Sequence, residues 1–360
     1  MSSTDTRPAL YSAIPKLSVS GQAQPRLAEG LKDMTVEETT AGLLHCEVTL
    51  VNWGPTGNGV DYLYFDRQLL DFGKPIKIEA GAGDAAGSIF EGRIMGIEGR
   101  YFSVRPPELL FLAEDRLQDL RMTRRTRSFE SVSDQDVFQK IASEYGLQTS
   151  LDVTGPQYKT LSQVNQSDLA FLRERARAID AELWIDGSTL HVQARARRKT
   201  GDVTLNFGER LYEFSVLADL ALQMSGMTVS GWDVSGKQTL TYRADDSALS
   251  SELNGDLSGT NLLQQAVGKR DQQIVHHLPA TSAETQALAE SEYRRAARRF
   301  LTGMGVSEGD SRIHVGTKLQ LQNLGTIFNG AYYVTRARHT FDLVNGYRTW
   351  FEVERPGLGQ

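Results

Sequence analysis

Residues 158 to 193 read YKTLSQVNQSDLAFLRERARAIDAELWIDGSTLHVQ and predict a turn, a helix and a hairpin in that order. Ser167 is a good helix N-cap, because a serine hydroxyl accepts hydrogen bonds from the unpaired N–H groups of the first turn. Apolar residues then recur at helical spacing and predict one buried stripe: Leu169, Leu172, Ala176 and Ile179. No side chain here has the setting of a reactive group, so the stretch indicates a structural unit.

A hairpin follows this helix in the sequence. Leu183 to Ile185 and Thr189 to Val192 are short apolar segments, and Asp186-Gly187 lies between them. That dipeptide suits a tight turn, because both central residues of such a turn take positive φ. We therefore expect two short antiparallel strands.

The composition indicates a globular protein with more than one structural unit. The chain has 360 residues, of which 40% are hydrophobic and 23% charged. This length favours two or more units, and the apolar fraction suffices for a core. The net charge of −6 argues against a dedicated nucleic-acid-binding protein, which carries a basic excess. Cys46 is the only cysteine, which excludes an intramolecular disulfide bond and a multi-cysteine zinc site.

The start of the chain, MSSTDTRPAL, lacks the apolar core of a signal peptide. No segment is apolar for long enough to cross a bilayer. We therefore expect a protein that is made and folded in the cytoplasm and has no membrane partner.

The first hundred residues predict β structure. Cys46, Val48 and Leu50 alternate with polar residues, as in a strand with one buried face. Ile89 to Glu98 and Tyr101 to Val104 also predict strands, with Gly92, Gly96 and Gly99 at bulges or bends. Many short strands separated by turns are typical of a sandwich or barrel. We assign residues 1–105 to a first β-barrel domain, with a flexible arm at 1–14.

An α/β insertion is predicted at residues 106–200. Ser133 and Asp136 have the spacing of a capping box at a helix start, and Gly146 marks the helix end. The charged run from Arg195 to Lys199 predicts a linker or an exposed loop.

The remaining sequence predicts a second β-barrel domain, formed by residues 201–245 and 305–356. A loop and helical insertion, residues 246–304, interrupts it. Here a short helix is predicted at Asn261 to Val267, and a longer one starts at a Thr281/Glu284 capping box and runs to about Thr302. We expect Gly303 and Gly305 to end that helix, and four arginines to lie largely off its buried face: Arg294, Arg295, Arg298 and Arg299. Asn345-Gly346 predicts the turn of a closing hairpin.

None of the six histidines has the spacing of a metal site: His45, His191, His276, His277, His314 and His339. We interpret His191, His314 and His339 as structural residues of predicted strands. His276-His277 lies in a predicted loop, and adjacent residues of an extended chain point apart.

Other reactive patterns also have structural interpretations. Gly81 to Gly87 resembles a phosphate loop, but predicted strands and no helix follow it, so we expect a hairpin tip. Cys46 has the alternation of a core residue, and Asp245-Asp246 lies in a predicted loop. The sequence therefore predicts no catalytic, cofactor-binding or metal-binding residue.

Two basic clusters leave alternatives open. They are Arg121 to Arg127, with four arginines in seven residues, and the arginines of residues 294–299. Both are interpreted first as solvated or salt-bridged faces. The second interpretation is an interface with an acidic partner or another subunit, to which arginine is suited. Interleaved aromatic residues are missing, so specific nucleic-acid binding is not predicted.

The 158–193 stretch closely resembles a signature of the hub proteins of contractile phage tails. This family includes the late control D proteins and the N-terminal half of the VgrG spike proteins of type VI secretion. Its pattern is a tyrosine-bearing segment, Gln-x-x-x-Ser-Asp-x-x-Phe-Leu, a helix and a hairpin. The matching residues are Tyr158, Gln163, Ser167, Asp168, Phe171 and Leu172.

Three further stretches resemble the same family. Arg127-Ser128-Phe129 before the Ser133 helix is similar to the start of its α/β insertion. Phe207-Gly208 through Gly231-Trp232-Asp233 is similar to its next strands, and Phe328 through Phe351 to its closing hairpin. The resemblance covers residues 90–355, and the four motifs occur in the order of the family.

The resemblance implies a mainly β protein with α+β insertions and no enzymatic activity. Two tail-tube-like β barrels per subunit would form a pseudo-sixfold ring in a homotrimer. Such a hub joins the sixfold tail tube to a threefold spike and forms part of a central channel. The implied partners are a spike protein, a tube or tube-initiator protein, baseplate wedge proteins, and a tape-measure protein or cargo in the channel. We expect assembly in the bacterial cytoplasm and residence in a baseplate.

One departure from VgrG concerns the spike. The sequence ends at Gln360, soon after the closing hairpin, whereas VgrG continues into an OB domain and a β-helical needle. We therefore expect the spike to be a separate chain, in a phage tail, a tailocin or an extracellular injection system. The alternatives are a tail-associated cell-wall hydrolase and a ligand-binding module that uses the α/β insertion.

Overall fold

The computed structural model describes residues 14–57, 59–275 and 279–359. His276, His277 and the predicted arm before Ile14 lie outside the described residues. The first part of the chain is β-rich and contains one short helix. Its elements are β1 Lys16–Val19, β2 Gln22–Ala23, α1 Pro25–Glu29, β3 Leu31–Thr39, β4 His45–Val51, β5 Gly54–Thr56, β6 Gly59–Asp61, β7 Pro75–Ala80, β8 Gly87–Arg100 and β9 Glu108–Glu114.

Helices and strands alternate in the next part of the chain. Its elements are α2 Leu117–Arg121, β10 Arg124–Ser133, α3 Asp134–Glu144, β11 Gln148–Asp152, β12 Gln157–Ser167, α4 Asp168–Ala178, β13 Ala181–Asp186 and β14 Thr189–Ala194. Ser133 and Ser167 are the N-caps of α3 and α4, as predicted. Each serine hydroxyl accepts a backbone N–H three residues later, and Asp136 completes the capping box at Ser133.

The last part returns to strands with helices between them. Its elements are β15 Gly201–Asn206, β16 Leu211–Ala218, β17 Gly226–Asp233, β18 Gln238–Ala244, α5 Ser250–Leu253, β19 Leu257–Ser258, α6 Gly259–Val267, β20 Asp271–Ile274, α7 Ser282–Arg298, β21 Leu301–Glu308, β22 Thr317–Gln322, β23 Gly330–Asp342, β24 Gly346–Arg355 and β25 Gly357–Leu358.

The two β-rich parts pair into one large sheet. Its strand order is β16-β21-β24-β23-β3-β4-β9-β8-β7-β1-β2, and β22 with β15 branches from the first half of β23. The second half of β23 pairs with β3, so this antiparallel contact joins the end of the chain to its beginning. The fold is mainly β, as predicted.

Separate apolar cores lie behind the two halves of this sheet. Val48, Phe111 and Ile78 belong to the first core, and Leu205, Tyr332 and Phe351 to the second. Along β24 the buried side chains alternate with outward ones, because successive residues of a strand point to opposite faces. Tyr347, Thr349, Phe351 and Val353 all point inward.

Smaller sheets carry the insertions. β10 pairs with β12, β11-β14-β13 forms a three-stranded sheet, and α3 and α4 pack between them over a third apolar core. β18-β17-β20 forms another sheet against α7, with a fourth core.

Several predicted boundaries differ from the structure. β9 pairs with β4 and β8, so the first sheet continues past residue 105. Tyr101 to Val104 is not a strand, because β8 ends at Arg100 and a turn leads to β9. β17 pairs with β18 and β20, and these strands form a sheet apart from the second barrel strands.

The predicted end of the long helix is also wrong. α7 ends at Arg298, and Gly303 and Gly305 lie within β21. Their role is close packing: a Cβ atom on Gly305 would lie 2.6 Å from the ring of Phe351. In the β13–β14 hairpin the two loop residues are Gly187 and Ser188, and of these only Gly187 has positive φ.

Candidate interaction surfaces

The hub signature converges on one buried carboxylate. Asp168 is fully buried and accepts hydrogen bonds from Arg127 at 2.7 Å, from the Tyr145 hydroxyl at 2.7 Å and from the Gln163 amide at 2.8 Å. Phe171, one turn later, stacks on Phe129 of β10. The motif therefore fixes α4 onto the β10–β12 sheet, and its polar residues serve structure.

Arg121 to Arg127 is largely a salt-bridged face. Arg121 binds Glu114 at 2.7 Å, while Arg125 and Arg127 both bind Glu144. Arg124 donates to a backbone carbonyl and has no carboxylate partner among the residues that the structure describes. Beside it, the side chain of Met122 is 68% exposed.

The second basic cluster is partly buried, contrary to the prediction. Arg298 is 2% exposed and binds Asp180 and Glu252. Arg294 binds Glu290 and Arg295 binds Glu292 on the same helix. Arg298 therefore joins α7 to the turn after α4, and it is not available to a partner.

The run from Arg195 to Lys199 links β14 to β15, as predicted, but it is only partly exposed. Residues 195–197 form a 3-10 helix, and Arg198 is almost completely buried. The Arg198 guanidinium donates to Glu182 of β13 at 2.9 Å and to Glu38 of β3 at 3.2 Å. Arg198 thus ties the α/β insertion to the large sheet. Sequence reasoning missed this junction, because Glu38 lies 160 residues away and Glu182 lies 16 residues away, both beyond local spacing.

His314 and Asp115 lie beside the same junction. His314 is not in a strand; it follows β21 and pairs with Glu38 at 3.2 Å. Burial alone would lower the pKa of His314, but the hydrogen bond with Glu38 and the charge of that carboxylate act together against burial, and the net effect raises that pKa. Burial raises the pKa of Asp115 to about 7, although it accepts the backbone N–H groups of Leu44 and Leu117. A cavity of about 550 Å³ borders these groups.

His339, His191 and Cys46 are structural. His339 is buried in β23, where burial lowers its pKa to about 3 and the Tyr347 hydroxyl lies 2.8 Å from its ring. His191 stacks on Trp184. Cys46 is fully buried, and residues 81–86 form the predicted hairpin tip between β7 and β8. Asp246 is not a freely solvated acid, because it accepts from Ser258 and Asn261.

In the described part of the chain, no three His, Cys, Asp or Glu side chains are grouped so that they could hold a metal ion. No helix of that part is long and apolar enough to cross a membrane.

One row of side chains crosses the outward face of the large sheet. Directly paired residues share a face, and the strand registers place seven of them in line from β9 to β16: Glu114, His45, Glu37, Arg338, Trp350, Val306 and Glu213. Six strand spacings of about 4.8 Å make this row about 29 Å long.

Ion pairs neutralise the middle of this row. Glu37 accepts from Arg336 at 2.7 Å and from Arg338 at 2.8 Å. Burial alone would raise the pKa of Glu37, but these two guanidinium groups outweigh it and hold that pKa below its usual range. Glu352 also binds Arg336, at 3.0 Å. The arginines of the sheet face are therefore already paired.

A groove lies at the β16 end of the row. Its volume is about 460 Å³, and it is bordered by Phe214, Met304, Gly305, Trp350 and Phe351, with Glu213 at its rim; we call it the sheet groove. The side chain of Met304 is 63% exposed and that of Trp350 is 47% exposed. Glu213 is exposed and forms no ion pair within the described ranges.

A second exposed apolar surface lies on loops of the first β part. The Tyr62 ring contacts Trp53 and Phe65, with ring centroids 5.2 and 5.1 Å apart, and Tyr101 lies 6.3 Å from Tyr62. Exposed aromatic residues of this kind are enriched at protein interfaces. We call these four residues the aromatic patch.

Comparison with known proteins agrees with this architecture. The family model described as Alg8 N-terminal domain matches residues 15–342. The chain belongs to the Alg8 N-terminal domain family. No curated protein matches the chain in sequence.

Solved structures that are similar to this chain include phage tail proteins and a type VI secretion protein. The 43 kDa tail protein of prophage MuSo2 from Shewanella oneidensis has a TM-score of 0.69 at 12% identity, covering 96% of this chain and 99% of that protein. The tail protein from Neisseria meningitidis MC58 has a TM-score of 0.69 at 11% identity, covering 97% and 98%.

The c3393 protein of E. coli has a TM-score of 0.61 at 11% identity, covering 94% of this chain and 76% of that protein. It is described as a component of the type VI secretion system with structural similarity to the T4 bacteriophage tail proteins gp27 and gp5. At these identities the likeness establishes the fold. The predicted resemblance to tail hub proteins is confirmed at that level.

Proposed function

We propose that this protein is the structural central hub of a contractile tail baseplate and acts without catalysis. The observation that carries the proposal is a tail-protein fold over almost the whole chain, 96% and 97% of it in the comparisons with the Shewanella and Neisseria tail proteins. The hub signature adds support, because its polar residues are consumed in a buried network around Asp168.

In this proposal each subunit supplies two tube-like β barrels, and three subunits form a pseudo-sixfold ring around a central channel. The two apolar cores behind the large sheet support a division into two barrels. The β3–β23 pairing would hold the barrels in a fixed relation, which suits a rigid ring. The first barrel would use β1 to β9, the second would use β15, β16 and β21 to β24, and the insertions would lie outside the ring.

The proposed partners follow from the same role. One end of the ring would meet the sixfold tail tube, and the other a separate threefold spike, with baseplate wedge proteins outside and a tape-measure protein or cargo in the channel. The aromatic patch is a candidate for one of these contacts, because it presents apolar area at the end of a sheet. The complex would assemble in the bacterial cytoplasm and reside in the baseplate.

The test is electron cryo-microscopy of the purified chain, alone and mixed with the spike and tube proteins encoded beside it. We expect a three-subunit ring with a central hole and bound spike. Particles that contain neither a ring nor a bound partner contradict the proposal. A peptidoglycan zymogram tests the hydrolase alternative, and we expect no clearing by the purified chain.

A further inference from the structure

The sheet groove is open, and Glu213 at its rim has no cationic partner among the described residues. Its floor forms at Gly305 of β21, which carries no side chain and packs on its inner side against the buried Phe351 ring. Met304 and Trp350 form its sides, and both are about half exposed or more. Adjacent exposed apolar side chains with polar residues around them are a candidate contact for a partner side chain.

Charge indicates what that partner carries. Arg336 and Arg338 at the groove are already paired with Glu37 and Glu352. Glu213 lacks a cationic partner among the described residues, so the free charge at the rim is negative. A fitting partner therefore has an apolar side chain close to an arginine or lysine.

This chain exposes such a segment itself. Residues 121–125 read RMTRR and lie between α2 and β10; we call them the basic segment. Met122 is its exposed apolar side chain, and Arg124 is the arginine without a carboxylate partner in the described residues. Methionine is flexible and makes favourable contacts with aromatic rings, so it suits a groove bordered by Trp350 and Phe351.

The position of the two surfaces excludes a contact within one chain and suits a contact between copies. Arg121 binds Glu114, which begins the outward row, whereas Glu213 ends it. The basic segment and the sheet groove therefore lie at opposite ends of the row, about 29 Å apart along the sheet. Contacts between two different surfaces of one chain are head-to-tail, and they form a ring when the rotation closes.

We propose that the basic segment of one copy docks in the sheet groove of the next, with Met122 against Met304 and Trp350 and with Arg124 paired to Glu213. The proposal rests on the hub function, since it names the residues that would join neighbouring subunits of that ring. The proposal gives one shared role to the basic segment and the sheet groove.

The first test is selective cross-linking. Met122→Cys and Met304→Cys change exposed side chains, and the natural Cys46 is buried and unreactive. With a short bismaleimide, a mixture of the two variants is expected to yield a cross-linked pair, while each variant alone is not. The control pairs Met122→Cys with Val344→Cys, which is more exposed than Met304 but lies at the tip of the β23–β24 hairpin, and no product is expected.

The second test exchanges the charges. Glu213→Arg and Arg124→Glu are each expected to weaken self-association by about tenfold, which corresponds to about 1.4 kcal/mol. The double variant is expected to recover most of the loss. Sedimentation measures this association, and added salt should weaken it in the wild type, because exposed charges are screened.

The outcomes separate the two proposals. Rings of wild-type chain without the specific cross-link, or without the charge-swap recovery, overturn this interface and leave the hub function standing. A wild-type chain that stays single, alone and with spike and tube proteins, overturns both.

Discussion

The guanidinium of Arg298 donates two hydrogen bonds to the carboxylate of Asp180, at 2.5 and 2.7 Å, across 118 residues of sequence. Glu252 accepts from the same guanidinium at 2.7 Å. One buried cation therefore joins the end of α7, the turn after α4 and the short α5. The net effect of the two carboxylates raises the pKa of Arg298, so it stays charged in spite of its burial.

Replacement of Arg298 is expected to be costly. Arg298→Met keeps most of the side-chain volume but leaves Asp180 and Glu252 without their cation. Removal of one partner of a buried ion pair costs about 3–5 kcal/mol of unfolding free energy. Urea denaturation measures this loss. Arg299→Met, at the exposed next position, is the control and should change stability by less than about 0.5 kcal/mol. Equal losses in both variants would contradict the structural role of Arg298.

Gly42 is expected to tolerate no side chain. Its φ is +87°, and an added Cβ would lie 2.1 Å from the backbone oxygen of Leu183, where the β3–β4 turn meets the α/β insertion. Gly21 has a similar φ of +80° and open space around it. Gly21→Ala should therefore cost only the left-handed penalty of about 1–2 kcal/mol, whereas Gly42→Ala should cost clearly more. Thermal unfolding of the two variants makes the comparison, and equal effects would show that the insertion does not press on this turn.

The difference between local and distant contacts explains what the sequence could predict. Ser133 and Ser167 were identified as helix caps because each serine lies three residues before the backbone N–H that donates to its hydroxyl. Arg198 and Arg298 were predicted to lie on the surface. Of their four carboxylate partners, three lie between 46 and 160 residues away in the sequence. Local spacing carries no information on such pairs.

The same argument applies to the candidate surfaces. The alternation in β24 predicts that Trp350 points outward, but only the register with β21 and β16 brings Met304 and Glu213 beside it. The basic segment could be named from the sequence, since four arginines within seven residues are visible there. Only the fold shows that Met122 is exposed and that Arg124 has no carboxylate partner among the described residues. Gly303 and Gly305 were misread as helix stops because glycine also serves close packing within a strand.

Asp115 gives the folded protein a dependence on pH. The folded pKa is about 7 and the ordinary value is 3.8, so the native state binds a proton that the unfolded state releases between these pH values. The stability that this group contributes is therefore complete below about pH 3.8 and is lost as pH rises through about 7, by at most about 1.4 kcal/mol for each pH unit.

Asp115→Asn should flatten this part of the stability profile. Asp186→Asn, at an exposed hairpin position, should leave the profile unchanged, and urea titrations from pH 4 to 8 would measure both. If the unfolding free energy of Asp115→Asn changes with pH in parallel with that of the wild type, the raised pKa of Asp115 is contradicted.

The capping box at α3 predicts a smaller and local effect. The Ser133 hydroxyl accepts the Asp136 N–H, and the Asp136 carboxylate accepts the Ser133 N–H at 2.8 Å. Ser133→Ala removes the first bond and should destabilise the fold by about 1 kcal/mol. Ser143→Ala on the same helix makes the same chemical change at an exposed site away from the cap, and alanine is the better helix former, so it should be nearly neutral. Hydrogen exchange at the first turn of α3 should accelerate in the Ser133 variant alone, because only there are the N–H groups of the helix start left open. Protection that stays unchanged in Ser133→Ala would mean that packing of Val137 and Phe138 in the core, and not the cap, holds this end of the helix.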